Sequence, residues 1–234
     1  LPTTEAEFRA IEEYVLRTGP WLKAWFGRAD LDGLDCFDLG CGSGIFSTML
    51  ARRGGRVTAM DLTQAGVDLA RRTADVFGVH INTVRGDAEN MPFADGRFDF
   101  VYSWGVLHHT SDMAAAVRQM GRVTKPNGRG MMMVYHRHSV VYYLHGLFWL
   151  IFRGKLLKGH SLRSVQDFYT DGYFHRYLTR TELKAMLAEA GLTVQRFSIT
   201  QYEKKILPCL PASVDAFLKR RFGMCLIAEW SKPA

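Results

Sequence analysis

A short apolar stretch that breaks into alternating glycines is the feature that most constrains the fold of this chain. Residues Cys36 to Leu39 lead into Gly40-Cys41-Gly42-Ser43-Gly44, and a helical pattern then runs from Ile45 to Arg53. Glycine has no Cβ and adopts positive φ readily, so alternating glycines allow a tight turn that a bulky ligand can approach closely. The pattern predicts a strand, a nucleotide-binding turn and a helix N-terminus. A tight turn without a ligand is the alternative.

The glycine spacing also discriminates between cofactors. The dinucleotide fingerprint G-x-G-x-x-G requires glycine or alanine at position 45, where this chain has Ile45. A dinucleotide brings a pyrophosphate that binds at the helix N-terminus. A cofactor without phosphate instead needs polar contacts to an amino acid and a ribose, and Asp38 with the backbone of Gly40 to Gly44 suits an ammonium group.

Two acidic residues follow later strands of the predicted sheet. Asp61 ends the apolar run Val57 to Met60 and lies 21 residues after Gly40, the distance at which a second strand offers a carboxylate to a ribose diol. Asp87 follows a predicted strand over Ile81 to Val84, where it would accept from an adenine amino group. Taken singly, each is better explained as a loop carboxylate or a helix cap.

Two further segments complete a family pattern, Phe98 to His109 and Arg122 to Arg129. Together with the motifs above they closely resemble the class I S-adenosylmethionine-dependent methyltransferases. The nearest resemblance is to the small-molecule branch that includes the ubiquinone/menaquinone C-methyltransferases and many natural-product methyltransferases. The resemblance covers roughly Leu34 to Tyr135. It is specific for the cofactor and not for the acceptor of the methyl group.

The resemblance implies a role for each part of the cofactor site. The glycine turn would bind the methionine portion of S-adenosylmethionine, Asp61 the ribose hydroxyls, and Asp87 with Ala88 the adenine. Leu62 would pack on the adenine face, and the backbone at the end of the fourth strand would close the pocket. The cofactor-binding residues implied in this way are Asp38, Gly40, Cys41, Gly42, Gly44, Asp61, Leu62, Asp87, Ala88, Ser103 and Trp104.

Apolar runs alternate with helical patterns from Leu34 onward, which predicts an α/β fold with a parallel, doubly wound, Rossmann-like sheet. The resemblance implies seven strands with an antiparallel last strand, and a cap inserted after the fifth. Thr4 and Glu7 have capping-box spacing, so an N-terminal helix precedes the core. The other predicted helices are 65–77, 113–124 and 181–190, and the later predicted strands are 98–103, 130–135, 192–200 and 224–230.

Length and composition predict a single domain. The chain has 234 residues, 47% of them hydrophobic, enough for one sizeable core. We divide it into an N-terminal helical extension (1–30), a cofactor-binding core (31–138), a substrate cap or lid (139–178) and the C-terminal part of the core (179–234). The N-terminus lacks the features of a signal peptide. The four cysteines, Cys36, Cys41, Cys209 and Cys225, have no metal-like spacing, which favours a cytoplasmic protein without a metal site.

The chemistry of methyl transfer points to a histidine base. The main requirement is to place the acceptor beside the methyl group, but an oxygen, carbon or protonated nitrogen acceptor must also lose a proton. Histidine titrates near neutral pH, and His108 and His109 lie where the fourth strand ends. We predict His108 as the base, with His109 second. Structural roles for both are the alternative.

The acceptor site is predicted around the cap. After the fifth strand the chain has Tyr135 and His136, and the segment Asp167 to Arg176 offers aromatic and titratable groups for the far wall of the pocket. His136 and His138 are also explained as exposed loop histidines. The predicted substrate contacts are Tyr135, His136, Tyr169 and Arg176.

The segment Ser139 to Phe152 is intensely apolar, and Arg153, Lys155, Lys158 and Arg163 follow it. It is shorter than the ~20 apolar residues that span a bilayer. Three alternatives remain open: a lid over an apolar acceptor, an interfacial helix in which 139–163 contacts a membrane peripherally, or a surface that packs on the core or on a second subunit in a homodimer.

The positive net charge is compatible with more than one function. The net charge is +7 and the pI about 9.3, but no RNA-binding module accompanies the C-terminal basic residues. We therefore rank a small-molecule or lipid-like acceptor above RNA. A protein that binds S-adenosylmethionine without transferring methyl is a further alternative, because fold and cofactor site do not exclude it.

Overall fold

Eight strands form one mixed sheet in the part of the chain that the computed structural model describes, residues 2, 4–168, 175–200 and 211–234. The strands are β1 (Asp35–Leu39), β2 (Arg56–Asp61), β3 (Ile81–Arg85), β4 (Phe98–Trp104), β5 (Thr124–His136), β6 (Tyr177–Leu178), β7 (Thr193–Thr200) and β8 (Cys225–Ser231). The helices are α1 (Glu5–Thr18), α2 (Pro20–Arg28), α3 (Ile45–Ala51), α4 (Gln64–Val76), α5 (Met113–Val123), α6 (Val140–Ile151), α7 (Leu162–Phe168), α8 (Arg180–Glu189) and α9 (Ala212–Phe222).

The strand order is β3-β2-β1-β4-β5-β8-β7. Strands β1 to β5 are parallel, and β8 is antiparallel to both of its neighbours. This confirms the predicted Rossmann-like sheet with an antiparallel last strand. The structure adds the two-residue strand β6, which pairs with β5 at Tyr135 and His136. Two residues are too few to show a periodic pattern, so the sequence did not predict it.

Helices cover both faces of the sheet. One apolar cluster joins the sheet to α5 and α8, and the other joins it to α2, α3 and α4. Along β5, Met132 and Val134 belong to the first cluster, whereas Met131 and Met133 belong to the second. Strands buried on both faces read as continuous apolar runs, which is why they could be found in the sequence.

Local signals in the sequence agree with the observed ends of the elements. The predicted capping box is present, because the Thr4 side chain accepts from the Glu7 N–H and the Glu7 side chain from the Thr4 N–H. Strand β5 begins earlier than predicted, with a register shift against β4 around residues 125–128. Asn127 in this bulge has φ 60°, the left-handed conformation that asparagine tolerates.

The predicted cap begins with α6, which Ser139 caps by accepting a hydrogen bond from the Tyr142 N–H. Tyr142, Gly146 and Leu150 are buried on one side of α6 and pack toward α7, whereas the other side is exposed. None of the described helices is both long enough and apolar enough to cross a lipid bilayer.

This topology places the candidate site. The carboxyl ends of β1 to β4 meet at one edge of the sheet, and the strand order reverses between β1 and β4. Open α/β sheets bind ligands in the crevice outside such a switch point. Every predicted cofactor residue lies on this edge or on the loops that follow it.

Candidate active site

The glycine turn between β1 and α3 has the conformation that its sequence predicts. Gly40, Gly42 and Gly44 have φ values of 77°, 48° and 74°. The N–H groups of Gly40 and Cys41 both donate to the carbonyl oxygen of Met60, at 2.8 and 2.9 Å. The turn is therefore tied to the end of β2, which also carries Asp61.

Each glycine of the turn has different surroundings. A Cβ on Gly40 would lie 2.3 Å from the Val106 side chain, and one on Gly44 would lie 2.5 Å from the Cα of Ala70. A Cβ on Gly42 would meet no atom within 4 Å. Gly40 and Gly44 thus allow close packing inside the protein, whereas Gly42 faces open space that a ligand can approach.

A cavity of about 290 Å³ lies beside this turn. Of the predicted cofactor residues, it brings together Gly40, Asp61, Leu62, Asp87 and Ala88. Sequence reasoning missed several lining residues, although Glu89 belongs to the same motif as Asp87, and Thr110 and Ser111 directly follow the two histidines. The full lining is Leu39, Gly40, Met60, Asp61, Leu62, Gly86, Asp87, Ala88, Glu89, Val106, His109, Thr110 and Ser111.

Asp61 is held in place by three hydrogen bonds. Its Oδ2 accepts from the Gly42 N–H at 3.0 Å, and its Oδ1 accepts from the N–H and the hydroxyl of Thr63 at 2.9 and 2.8 Å. A carboxylate has about four acceptor positions. The remaining position, on Oδ2, is available to a hydroxyl group in the cavity.

The side of the cavity around Asp87 and Leu62 combines a polar and an apolar wall. Asp87 is exposed, and its Oδ1 accepts from the Glu89 N–H at 2.9 Å, whereas Ala88 is buried. Leu62 is 64% exposed, so its side chain can cover an apolar ring. Glu89 in turn accepts from the Asp112 N–H at 2.9 Å, which fixes the loop that closes the cavity.

Asp38 is buried beneath the turn and does not line the cavity. Its Oδ2 accepts from the hydroxyl of Ser47 at 2.5 Å. Burial raises the pKa of Asp38 to about 7, opposed by the Ser47 hydrogen bond and reinforced by the charge of Asp61. Cys41 is also buried, which raises the pKa of its thiol, so it contributes backbone and not side-chain chemistry.

Ser103 and Trp104 support the site without lining the cavity. The Ser103 hydroxyl donates to the carbonyl oxygen of Leu39 at 3.1 Å, which joins the ends of β4 and β1. The Trp104 ring stacks on Trp21 of α2, with 4.7 Å between the ring centroids. At this strand end the cavity is lined by Val106 instead.

The two predicted catalytic histidines lie on a single 3₁₀ turn, Leu107–His109, but in different surroundings. His108 is fully buried, and within the described residues its ring nitrogens have no hydrogen-bond partner. Burial, with smaller effects of His109 and His175, holds the pKa of His108 well below 6.5. His109 is half-buried and lines the cavity. Of the two predicted bases, His109 and not His108 therefore lines the cavity.

Known proteins are similar to this chain in sequence and in fold. A family model described as a methyltransferase domain matches residues 37–132. The ubiquinone biosynthesis O-methyltransferase of Pseudomonas aeruginosa (strain UCBPP-PA14) is 31% identical over 195 residues, which cover 82% of this chain and 77% of that protein. The chain belongs to the class I S-adenosylmethionine-dependent methyltransferases.

Solved structures share the fold of this methyltransferase. A SAM-dependent methyltransferase from Aquifex aeolicus aligns with a TM-score of 0.61 and 15% identity over 98% of this chain and 99% of that one. The [4+2]-cyclase SpnF aligns with a TM-score of 0.64 and 18% identity over 92% and 80% of the two chains. At these identities the likeness shows the fold alone.

The cavity of the methyltransferase fits S-adenosylmethionine. Asp61 would offer an acceptor to the ribose, Asp87 and Leu62 would offer polar and apolar contacts to the adenine, and the open side of Gly42 would admit the methionine portion. The bound cofactor supplies a sulfonium methyl group that is already activated for displacement. The protein must therefore position the acceptor and, where needed, remove its proton.

On the acceptor side of the methyltransferase, Tyr135 lies at the centre of a ring cluster. Its ring centroid is 4.0 Å from that of His108 and 5.7 Å from that of His109. The rings of His175 and Tyr177 lie 5.7 and 5.5 Å away. The end of β5 and the returning cap thus enclose the histidine turn with aromatic surface.

Arg176 binds the histidine turn through its backbone and its side chain. Its N–H donates to the carbonyl oxygen of His108 at 2.9 Å. Its guanidinium donates to the carbonyl oxygens of Thr110 at 2.7 Å and Ser111 at 2.6 Å. Arg176 therefore shapes the wall of the cofactor cavity without lining it.

The structure corrects the prediction for His136. The side chain is buried, and its Nδ1–H donates to the carbonyl oxygen of Gly223 at 3.1 Å. Burial lowers the pKa of His136 to about 4. His136 is thus a structural residue that lines no described part of the cofactor cavity, whereas His138 is exposed as expected. Tyr169, the other predicted acceptor contact, lies outside the described residues.

Proposed function

We propose that this methyltransferase methylates a hydroxyl group on a small, largely apolar acceptor, and that His109 removes the hydroxyl proton. The observation that carries this proposal is the position of His109, the histidine that lines the cofactor cavity. A base that lines this cavity would lie close to the acceptor atom, because that atom must approach the methyl group of the cofactor. A general base must lie within hydrogen-bond reach of the proton that it removes.

The surroundings of His109 support an apolar acceptor. The rings of Tyr135 and His175 pack around it, with centroids 5.7 and 6.1 Å from its own. Aromatic rings beside the base would suit a flat or aliphatic molecule that binds through apolar contact. Small-molecule pockets in proteins commonly have this composition.

The choice of a hydroxyl acceptor draws on the Pseudomonas aeruginosa relative. That protein is named as an O-methyltransferase of ubiquinone biosynthesis. A hydroxyl becomes a much better nucleophile when it loses its proton, so an O-methyltransferase benefits from a base at the position of His109. The relative's name therefore supports both the acceptor atom and the lipid-like character of the acceptor.

The acceptor class can be tested with methyl-labelled S-adenosylmethionine. The protein is incubated with a cell extract that is then separated into lipid, polar-metabolite, RNA and protein fractions. We expect label in the lipid or apolar small-molecule fraction, with S-adenosylhomocysteine formed in equal amount. Label confined to RNA or protein would contradict the proposal. So would consumption of acceptor without formation of S-adenosylhomocysteine, the result expected of a cyclase.

The role of His109 is tested with His109→Gln, which keeps a polar side chain of similar size but removes the titrating group. We expect kcat to fall by about 10²- to 10⁴-fold and the acidic limb of the pH–rate profile to disappear. Binding of S-adenosylhomocysteine should be retained. His80→Gln, at an exposed loop position, is the control for losing a histidine. An unchanged pH profile in His109→Gln would rule out His109 as the base.

A further inference from the structure

The outer side of α6 and the turn after it carry large apolar side chains that the described structure leaves exposed. Phe152 is 78% exposed and Leu157 is 93% exposed. The remaining members are between 46% and 60% exposed. We call this surface the α6 patch; it consists of Leu144, Leu147, Phe148, Ile151, Phe152, Leu156 and Leu157.

The α6 patch is one continuous face of the helix. Leu144, Leu147, Phe148 and Ile151 have the spacing i, i+3, i+4, i+7, which places them on the same side. The opposite side of α6 already packs against α7, where a Cβ on Gly146 would lie 2.1 Å from the Leu162 side chain. Among the described residues, the core is therefore in contact with the Gly146 side of α6, and the patch side is exposed. The patch needs a separate explanation.

No residue of α6 lines the cofactor cavity among the described residues. The helix nevertheless begins a few residues after the end of β5, at the same sheet edge as the active site. The patch thus lies near the acceptor side and faces outward.

The charges within the α6 patch favour an anionic partner. Arg153, Lys155 and Lys158 are interleaved with its last apolar residues, and the sequence has no aspartate or glutamate between Asp112 and Asp167. A second copy of the chain would bring the same positive charges together, because a two-fold interface is formed by the same surface on both subunits, and like charges oppose such a contact. An anionic surface is complementary to this charge pattern.

We propose that the α6 patch binds the surface of an anionic lipid bilayer. The aromatic and aliphatic side chains of α6 enter the boundary between headgroups and acyl chains, and the basic residues contact the lipid headgroups. The helix lies along the membrane surface and does not cross it. This inference concerns the surface of the protein and does not depend on the proposed acceptor or on His109.

The test is flotation of the full chain with vesicles of phosphatidylcholine alone and of phosphatidylcholine mixed with phosphatidylglycerol. We expect binding to the anionic vesicles at low salt and much weaker binding at 1 M salt, where the screening length falls to about 3 Å. Absence of binding to anionic vesicles at low salt would overturn the proposal. Binding that is equal for both vesicle types would overturn the role of the basic residues.

Matched variants assign the binding to the patch. Leu147→Glu combined with Phe148→Glu should abolish flotation, whereas Tyr14→Glu combined with His80→Glu, at exposed sites outside the patch, should not. Arg153→Gln combined with Lys158→Gln should weaken binding to anionic vesicles by about 30-fold. Retained binding of S-adenosylhomocysteine shows that each variant is folded.

A second copy of the chain on the α6 patch would give a different result. Light scattering measures the mass of the wild-type chain and of the Leu147→Glu, Phe148→Glu variant without lipid. A wild-type dimer that becomes monomeric in this variant would assign the patch to a second copy and overturn the proposal. The result expected here is the same mass for both proteins.

Discussion

The guanidinium of Arg176 donates a hydrogen bond of 2.7 Å to the carbonyl oxygen of Thr110, a residue of the cofactor cavity. A second bond reaches Ser111, and the Arg176 N–H binds the carbonyl oxygen of His108. The position of the histidine turn thus depends on a cap residue far along the chain. These hydrogen bonds join the segment after α7 to the wall of the predicted cofactor cavity.

Arg176→Ala should therefore weaken cofactor binding although the side chain does not line the cavity. Loss of the two side-chain hydrogen bonds frees the loop at Thr110 and Ser111, and we expect the Kd for S-adenosylhomocysteine to rise about tenfold, or ~1.4 kcal/mol. Isothermal titration calorimetry measures this Kd. Arg180→Ala, an exposed arginine on α8, is the control. Equal affinity in wild type and Arg176→Ala would show that the loop keeps its shape without this bond.

Gly44→Ala should destabilise the protein strongly. The new Cβ would lie 2.5 Å from the backbone of Ala70, and φ at this position is 74°. Overpacking and left-handed strain together are expected to lower the free energy of unfolding by about 2–5 kcal/mol. Gly78→Ala has a similar φ of 64° but open space for the Cβ, so it should cost only about 1–2 kcal/mol. Urea denaturation compares the two, and equal losses would contradict the packing argument.

Asp61→Asn should impair cofactor binding more than stability. The variant keeps the shape of the side chain but loses the charge that accepts from Gly42, Thr63 and a ribose hydroxyl. Hydrogen bonds to charged groups contribute about 1.5–3 kcal/mol, so the Kd for S-adenosylhomocysteine should rise roughly 10- to 150-fold. Asp68→Asn on the surface of α4 is the control. Similar affinities for the two variants would argue against Asp61 as the ribose ligand.

Asp38 should make stability depend on pH. Its pKa rises from 3.8 to about 7 in the folded state because the side chain is buried. Between these values the unfolded chain releases the proton while the folded protein keeps it, so the contribution of Asp38 to the free energy of unfolding falls as pH rises from about 4 to 7 and is then constant. At 1.36 kcal/mol per pKa unit the upper limit is about 4 kcal/mol.

The measurement compares wild type with Asp38→Asn by urea denaturation at pH 5 and at pH 8. The free energy of unfolding of the variant, minus that of wild type, should be larger at pH 8 than at pH 5. This range avoids Asp35, whose pKa is lowered to about 2 by hydrogen bonds from Arg56 and Lys125 and which therefore affects stability only at more acidic pH. Parallel profiles would show that Asp38 has the same pKa in both states.

Much of the cofactor site could be predicted because its signals are local. The three glycines require positive φ wherever the chain folds, and Asp61 and Asp87 are placed by the ends of their own strands. The same reasoning does not say which side chains face the cavity. Asp38 belongs to the motif but turns inward to Ser47, a contact that depends on how α3 packs on β1.

The acceptor side was harder to predict because tertiary packing decides it. His108 and His109 are neighbours of the same residue type, and their packing distinguishes them: the Tyr135 ring lies 4.0 Å from that of the buried His108, whereas His109 lines the cavity. His136 follows the last apolar residues of β5 and looked like a loop residue. It is buried because Gly223, from the far end of the chain, lies against it.

The pairing of β6 with the end of β5 has a consequence for how such enzymes diversify. The chain leaves the sheet after His136 and returns beside the same strand at Tyr177, and neighbouring strands lie only about 4.8 Å apart. The segment between β5 and β6 thus begins and ends beside the same strand. Segments of other lengths and compositions could be accommodated between these two points without altering the register of the central strands, so this part of the chain could change while the strands beside the predicted cofactor cavity stay the same.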